Sequence, residues 1–523
     1  MSVKYTSVED IPLIYQDLRR AFRTGKTKSV AFRKQQLLNL CYLVQDNWER
    51  IKDAFMSDLG RPREESELLE LNGTLMELKE AYDNVEKWAS PEKAPFSWLW
   101  FAMSPVMRNE PKGVVLLISP SITRCTSFSA HWCDFLSGAI ASGNAVLMKP
   151  SELSPAMAAL LTELIPKYLD PEVYRIVNGG IPETTKILEL PFDHILYTGG
   201  GGVARVVLAA AAKHLTPVTL ELGGKSPCVI DPRCDVKTAA KRIMWGKLIN
   251  GGQLCLSPDY VLVPEWFQDT FVEALKNAYY ELHPVDPEVS GQVTRMVNER
   301  HAARVKSLID NTKGTIVFGG KVDLQSKYAA PALIKDVRGD DSLMSEELFG
   351  PFLPVVPVKD VDEAIEFINE RDHPLNVYVF TNDAVFKEKV FSNTQSGTAA
   401  ANDTILHVMA EGMPFGGVGA SGTGYTTGKY VFDTFTHKRC TMDAPNWLDS
   451  ALMAARYTPY NKGALRRLNW LFSRSLPPRD GSMPLAKKLC YSAIIALAGL
   501  SALWLTLTGK LTARLPLLLL QRS

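Results

Sequence analysis

The apolar positions of the chain change their period along its length. In residues 8–90, Leu37, Leu40, Cys41, Val44 and Trp48 recur at helical spacing between charged stretches, so this part reads mainly as helices. From residue 114 the pattern turns into short continuous apolar runs: Val114–Ser119, Ala145–Lys149, Arg175–Val177, His194–Tyr197 and Val218–Leu222. Such runs predict strands buried on both faces. Stretches at Pro155–Tyr168 and Val203–His214 lie between them and predict helices. Strand–helix alternation of this kind predicts an open parallel sheet of Rossmann type, an α/β architecture that holds a nucleotide.

The pattern restarts after Leu222. Cys228–Asp231 reads as a strand, residues 235–250 as a helix, Val361–Glu370 as a helix and Val377–Phe380 as a strand. These predict a second α/β unit of similar size. No internal repeat or low-complexity linker interrupts the chain before residue 445.

The C-terminal part has a different texture. Arg456–Pro478 is rich in Arg, Tyr and Trp, and Leu465, Leu468, Trp470, Leu471 and Phe472 would line an amphipathic helix at a membrane surface. An irregular basic linker fits the same composition. Cys490–Gly509 carries no charge, a length that crosses a hydrocarbon core of about 30 Å as a helix rising 1.5 Å per residue. A buried core helix is the alternative. Lys487 and Lys488 precede this run, and Lys510 and Arg514 follow it. Arg466, Arg467, Arg474 and Arg479 add to the upstream excess of cations, which places the globular part on the cytosolic side.

Composition narrows the field. At 523 residues the chain exceeds one ordinary domain. Its 46% apolar and 22% charged content fit a globular fold. A net charge of +1 makes no general case for nucleic acid. The eight cysteines form no Cys-x-x-Cys and no zinc spacing, so no metal is expected and a reducing compartment is. The N-terminus lacks the apolar core of a signal peptide.

Two strings carry the chemistry. Glu221-Leu222-Gly223-Gly224-Lys225-Ser226-Pro227 sets a carboxylate on a Gly-Gly turn, and Asn250-Gly251-Gly252-Gln253-Leu254-Cys255 sets a thiol on a glycine-rich approach. A thiolate can take a carbonyl carbon, and a nearby carboxylate can activate the water that cleaves the thioester. Lys149-Pro150-Ser151-Glu152 follows a strand end; Glu152 would accept from ribose hydroxyls, and its charge disfavours a 2′-phosphate. A strand followed by a helix cap gives the same string. The glycines of Tyr197-Thr198-Gly199-Gly200-Gly201-Gly202-Val203-Ala204 would let the backbone approach a pyrophosphate at a helix N-terminus.

In these strings, and from residue 8 to residue 442, the chain resembles the aldehyde dehydrogenase superfamily, in particular the class 3 branch with its membrane-anchored fatty aldehyde dehydrogenases. The resemblance implies Cys255 as nucleophile and Glu221 as general base. It implies Lys149 and Glu152 at the adenosine ribose, and Gly199, Gly200 and Val203 at the pyrophosphate. In Glu346-Glu347-Leu348-Phe349-Gly350-Pro351 it implies Glu347 on the nicotinamide ribose and Phe349 beside the nicotinamide. Read without the family, Glu347 is a surface carboxylate. Asn402 and Pro414-Phe415-Gly416-Gly417 match a loop under the active site, with a structural role.

The implied division is an NAD-binding domain over 1–222, including part of a bridging arm near 91–113, and a catalytic domain over 223–410. Arm and active-site loop occupy 411–445, a basic linker or amphipathic segment 446–489, and a transmembrane anchor 490–509. The implied cofactor is NAD, or NADP, and the arm implies a homodimer. A membrane-lipid anchor points to oxidation of a long-chain fatty aldehyde to the acid through a Cys thiohemiacetal and thioester. A tethered oxidiser of short-chain or aromatic aldehydes, or a weakly active nucleotide-binding membrane protein, are the alternatives. The expected location is a membrane of the endoplasmic reticulum, lipid droplet, mitochondrial outer membrane or peroxisome, with the catalytic part in the cytosol.

Three departures from the family pattern stand out. Gly200 and Ala204 replace a serine and a glycine of the usual phosphate turn. Tyr425-Thr426-Thr427-Gly428 lacks a family histidine, so no role transfers there. The family's aromatic-Asn-aromatic-Pro string, whose asparagine donates to the oxyanion, is replaced by residues 119–135, SPSITRCTSFSAHWCDF, and no asparagine occurs between residues 111 and 143. The segment is either a diverged loop or a differently read stretch of coding sequence.

Overall fold

The computed structural model describes residues 3–97, 100–119, 128–451, 453–473, 476–477 and 479–480. The expected anchor at 490–509 and the centre of the atypical segment, 120–127, lie outside them. Among the described residues, no helix is long and apolar enough to cross a membrane.

The first apolar runs build a six-stranded sheet in the order 422–423, 218–222, 194–199, 114–118, 145–149, 174–176. Every neighbour pair is parallel except the short strand Gly422–Thr423, which runs antiparallel to Val218–Leu222. Helices Pro155–Tyr168 and Gly201–Ala212 supply crossovers, as the alternation predicts. A seven-stranded sheet follows, ordered 315–318, 332–335, 352–358, 260–264, 227–230, 376–380, 398–401. It too is parallel except at the edge pair 315–318 and 332–335. Its core strands carry Val, Ile, Leu, Tyr and Phe at almost every position and are buried on both faces. A third, antiparallel sheet of Glu92–Lys93, Val106–Pro111 and Thr436–Thr441 occupies the segments read as the bridging arm.

Both large sheets belong to one compact unit, the described residues of 3–94 and 106–441; the described residues of 95–105 form a second unit with those from 442 onward. Within that second unit Lys462–Phe472 is a helix, not an irregular linker, with Asn461 Oδ1 accepting from the N–H groups of Gly463 and Ala464. Leu468 packs with Trp100, Met103, Leu448 and Met453, while Trp470 is exposed.

Most boundaries lie within one or two residues of the expectation, and the first helical stretch is divided. The helix of Leu37 to Val44 ends at Asp46, and Trp48 opens the next helix, Trp48–Leu59. Asn47 breaks the two apart: its side chain donates back to the Leu43 carbonyl at 2.9 Å, which competes with continued helix. The strand expected at Arg175–Val177 is Tyr174–Ile176.

Candidate active site

The approach to Cys255 is a run of left-handed backbone. Asn250, Gly251 and Gly252 have φ of 51°, 61° and 70°. A Cβ at Gly251 would press on the Thr294 carbonyl and one at Gly252 would run into the Gly350 carbonyl, so both positions need glycine twice over. Asn250 tolerates the conformation because its side chain donates to the Gln253 carbonyl at 2.8 Å. Gln253 Nε2 donates to the carbonyls of Asn250 and Arg295, and its Oε1 accepts from the Val297 N–H. The turn is thereby fixed, and Cys255 sits buried in an apolar cluster with Ile249, Leu254, Leu256, Leu375, Ile405 and Phe415. Tyr378 braces it from behind, donating to the Leu256 carbonyl at 2.7 Å and accepting from Ile405 N–H.

Glu221 lies on the strand Val218–Leu222, also buried. Its Oε1 accepts a 2.6 Å hydrogen bond from Thr426 Oγ1. The Thr426 backbone pairs with that of Phe415, and Phe415 belongs to the cluster around Cys255. One loop thus connects the two residues, and within Pro414–Gly417 it is Phe415 that packs into the Cys255 cluster. Asn402 has a purely structural task, exchanging side-chain hydrogen bonds with both backbone groups of Thr381. Next to Glu221, burial together with the carboxylates of Glu77 and Glu221 pushes Asp134 well above the usual carboxylate range.

Three of the cofactor candidates line two clefts, Glu347 and Phe349 the first and Glu152 the second, while Lys149, Gly199, Gly200 and Val203 line neither. One, of about 460 Å³, is lined by Gly201, Leu222, Gly223, Gly224, Glu347 and Phe349 among others. The Glu347 carboxylate rests directly against the α-carbon of Gly223, where any Cβ would collide with it. Gly201 opens the helix Gly201–Ala212 after the strand His194–Gly199, with Gly200 as its cap. Val203 is on the first turn of that helix but 52% exposed, and it does not line the cleft. A second cleft, of about 300 Å³, is lined by Tyr5, Pro150, Ser151, Glu152, Asn178 and Gly179. Lys149 ends the strand Ala145–Lys149, and its Nζ pairs with Glu152 Oε2 at 2.7 Å.

A family model described as the aldehyde dehydrogenase family matches residues 1–440. The chain belongs to the aldehyde dehydrogenase family. The Rattus norvegicus protein "Aldehyde dehydrogenase, dimeric NADP-preferring" is 43% identical over 442 residues, covering 84% of this chain and 96% of that one. The Mus musculus "Aldehyde dehydrogenase family 3 member A2" is 44% identical over 426 residues, covering 81% and 86%. The solved structure "Substrate bound state of Staphylococcus Aureus AldH" is 36% identical with a TM-score of 0.84, covering 88% of this chain and 99% of that one.

Several residues that hold this aldehyde dehydrogenase site together are not among those read from the sequence. Glu65 Oε1, from the N-terminal helices, accepts from the Asn250 N–H at 2.9 Å, from Thr294 Oγ1 at 3.2 Å and from the fully buried Arg61. Arg304 clamps the Glu347 loop by donating to the carbonyls of Glu347 and Leu348 at 3.1 and 2.6 Å. Thr426, in the string with no transferable role, donates to Glu221. Apart from the i,i+4 pair of Arg61 and Glu65, these contacts join residues far apart in the chain, and local pattern carries no signal for them.

Proposed function

We propose that this aldehyde dehydrogenase oxidises long-chain fatty aldehydes to fatty acids at a membrane, with Cys255 as nucleophile and Glu221 as general base. The observation that carries the site assignment is the Glu221–Thr426–Phe415 link, which ties a buried carboxylate to the cluster around a buried cysteine. The Cys255 thiolate adds to the aldehyde carbon, giving a hemithioacetal. The chemistry that NAD(P) supplies is acceptance of one hydride from that carbon. At the acid oxidation level the acyl group is a thioester on Cys255 Sγ. Glu221 takes a proton from water, the hydroxide adds to the thioester carbon, and the C–S bond breaks to release the acid and the thiolate.

The residues present fit a dinucleotide. Gly223 leaves the space that Glu347 fills, so the carboxylate stands in the same cleft as the Gly201 helix N-terminus, a carboxylate for ribose hydroxyls beside N–H groups for phosphate. At the other cleft the Lys149–Glu152 pair offers a carboxylate to an adenosine ribose. Gly199 and Gly200 serve as the close-approach turn. The rat relative is named dimeric and NADP-preferring, and this chain forms a homodimer through the strand Thr436–Thr441 on the same proposal. Among the described residues that strand pairs on one side alone, with Val106–Pro111.

The chain-length preference rests on the uncharged run 490–509, which would hold the enzyme where fatty aldehydes dissolve. The test is NADH production with hexadecanal against short-chain and aromatic aldehydes, on full-length protein in membranes. Equal kcat/KM across chain lengths would leave a merely tethered oxidiser. Deleting residues from 485 onward should move the protein to the soluble fraction; retention in carbonate-washed membranes would place the anchor elsewhere, with 456–478 the first segment to remove next.

A further inference from the structure

Asp259 stands where the three motif strings meet. It is almost fully buried, and its backbone N–H donates to the Ser226 carbonyl at 2.8 Å. One carboxylate oxygen, Oδ2, takes the ion pair from Lys225, which follows Glu221 and the Gly-Gly turn. The other, Oδ1, accepts at 3.1 Å from the N–H of Leu348, between Glu347 and Phe349. Lys225 Nζ reaches onward to the carbonyls of Leu343 and Glu346, both at 2.9 Å. A single carboxylate, four residues past Cys255, therefore draws the 221–225 and 346–349 strings to the end of the nucleophile turn.

A second buried charge faces the same oxygen. Lys247 closes the helix Val236–Leu248 that feeds the nucleophile turn, and its backbone carbonyl abuts Gly252. Its side chain is fully buried, its Nζ lies 3.9 Å from Asp259 Oδ1, and it has no hydrogen-bond partner among the described residues. That distance is too long for a hydrogen bond, so the interaction is between charges. Burial pulls this ammonium down to about 8, aided by Lys225 and opposed by Asp259, Glu347 and Cys228. A buried cation with so little direct bonding is costly to keep, and its charge state depends on Asp259 and Glu347 together.

We infer, on the reading of Cys255 and Glu347 given above, that Asp259 and Lys247 form a buried charged clamp that couples the cofactor-ribose loop to the nucleophile turn. Both are positioning residues. Docking of a ribose on Glu347 changes the field at Lys247 and the pull on Leu348, and the clamp passes that change to the turn bearing Cys255. Cofactor occupancy and thiol reactivity are then linked by a coupling free energy carried through Asp259.

The test measures the alkylation rate of Cys255 by iodoacetamide, with and without saturating NAD, located by peptide mass, together with the KM for NAD. In wild-type enzyme NAD should change the alkylation rate about fivefold or more. In Asp259→Asn that change should collapse towards unity, with a raised KM for NAD. Asp259→Asn leaves Lys225 and Lys247 without a counter-carboxylate and risks misfolding. Lys247→Met removes one charge, keeps similar bulk, and should show the same collapse. A folded variant of either kind that keeps the full NAD effect overturns the clamp, as does a wild-type enzyme whose Cys255 reactivity ignores NAD. Full activity of Cys255→Ser, by contrast, would overturn the nucleophile assignment itself.

Discussion

Thr426 Oγ1 donates a 2.6 Å hydrogen bond to Glu221 Oε1, while the backbone of the same threonine pairs with Phe415 beside Cys255. The proposed base is thus aimed by the loop that walls the proposed nucleophile. Thr426→Val keeps the β-branched shape and the backbone pairing but removes the donor. Loss of a hydrogen bond to a charged group costs about 1.5–3 kcal/mol, so steady-state turnover should fall roughly ten- to a hundredfold. The burst of NADH in the first turnover should persist. Unchanged turnover would show that the bond does not orient the base.

Glu221→Gln should slow deacylation far more than hydride transfer. The amide fills the same buried space and still meets Thr426 but cannot take a proton from water. Stopped-flow NADH traces should show a burst followed by a slow rate. Loss of burst and steady rate in equal measure would give Glu221 a role before acylation.

Cys255→Ser should abolish oxidation and leave NAD binding nearly intact. The alcohol at its ordinary pKa is a weak nucleophile, whereas the turn that positions the residue rests on Asn250, Gln253 and Tyr378 and is untouched. NAD affinity by fluorescence titration, read beside activity, separates the two effects. Residual activity above a few per cent would remove Cys255 from the role.

The parts of the site that were legible in sequence are the contiguous ones. Glu221 with its Gly-Gly turn and Cys255 with its approach lie in short strings whose composition follows from backbone needs: positive φ at 250–252 and a cradle at 223. The strand–helix alternation was legible because strands buried on both faces leave continuous apolar runs, and the expected 145–149 and 218–222 appear in the sheet, with the expected 114–119 one residue shorter. Glu347 was legible through family resemblance alone, because its partner surface at Gly223 is distant in the chain. The roles of Asp259, Arg304, Glu65 and Thr426 were not legible. Their types are common at surfaces, and their work depends on which carbonyl or carboxylate the fold carries to them.

Gly223→Ala should weaken cofactor binding with little loss of stability. The new methyl would occupy the place of the Glu347 carboxylate, which must then swing away. The backbone at 223 is not in the left-handed region, so alanine itself is tolerated there. The expected readout is a KM for NAD raised about tenfold, with thermal unfolding within a few degrees of wild type. An unaltered KM would mean that Glu347 is not the ribose ligand.

The final prediction concerns residues 119–135. The family string there carries the asparagine whose amide donates to the oxyanion, and this chain has no asparagine between 111 and 143. Asn144 is no substitute: its side chain is buried and committed to the Gly113 N–H, Ser142 Oγ and the Phe435 carbonyl. With one oxyanion donor fewer, the transition state loses about 2.7–4 kcal/mol, or roughly 10²–10³ in turnover, while NAD binding is spared. On this reading the backbone N–H of Cys255 would be the remaining donor. Replacing 119–135 by a family-type segment carrying the asparagine should therefore raise kcat at least about tenfold without moving the KM for NAD. Because the oxyanion forms both in acylation and in thioester hydrolysis, the gain should appear in the burst rate and in the steady rate alike. Equal and high activity in the two forms would show that the native segment already supplies a donor.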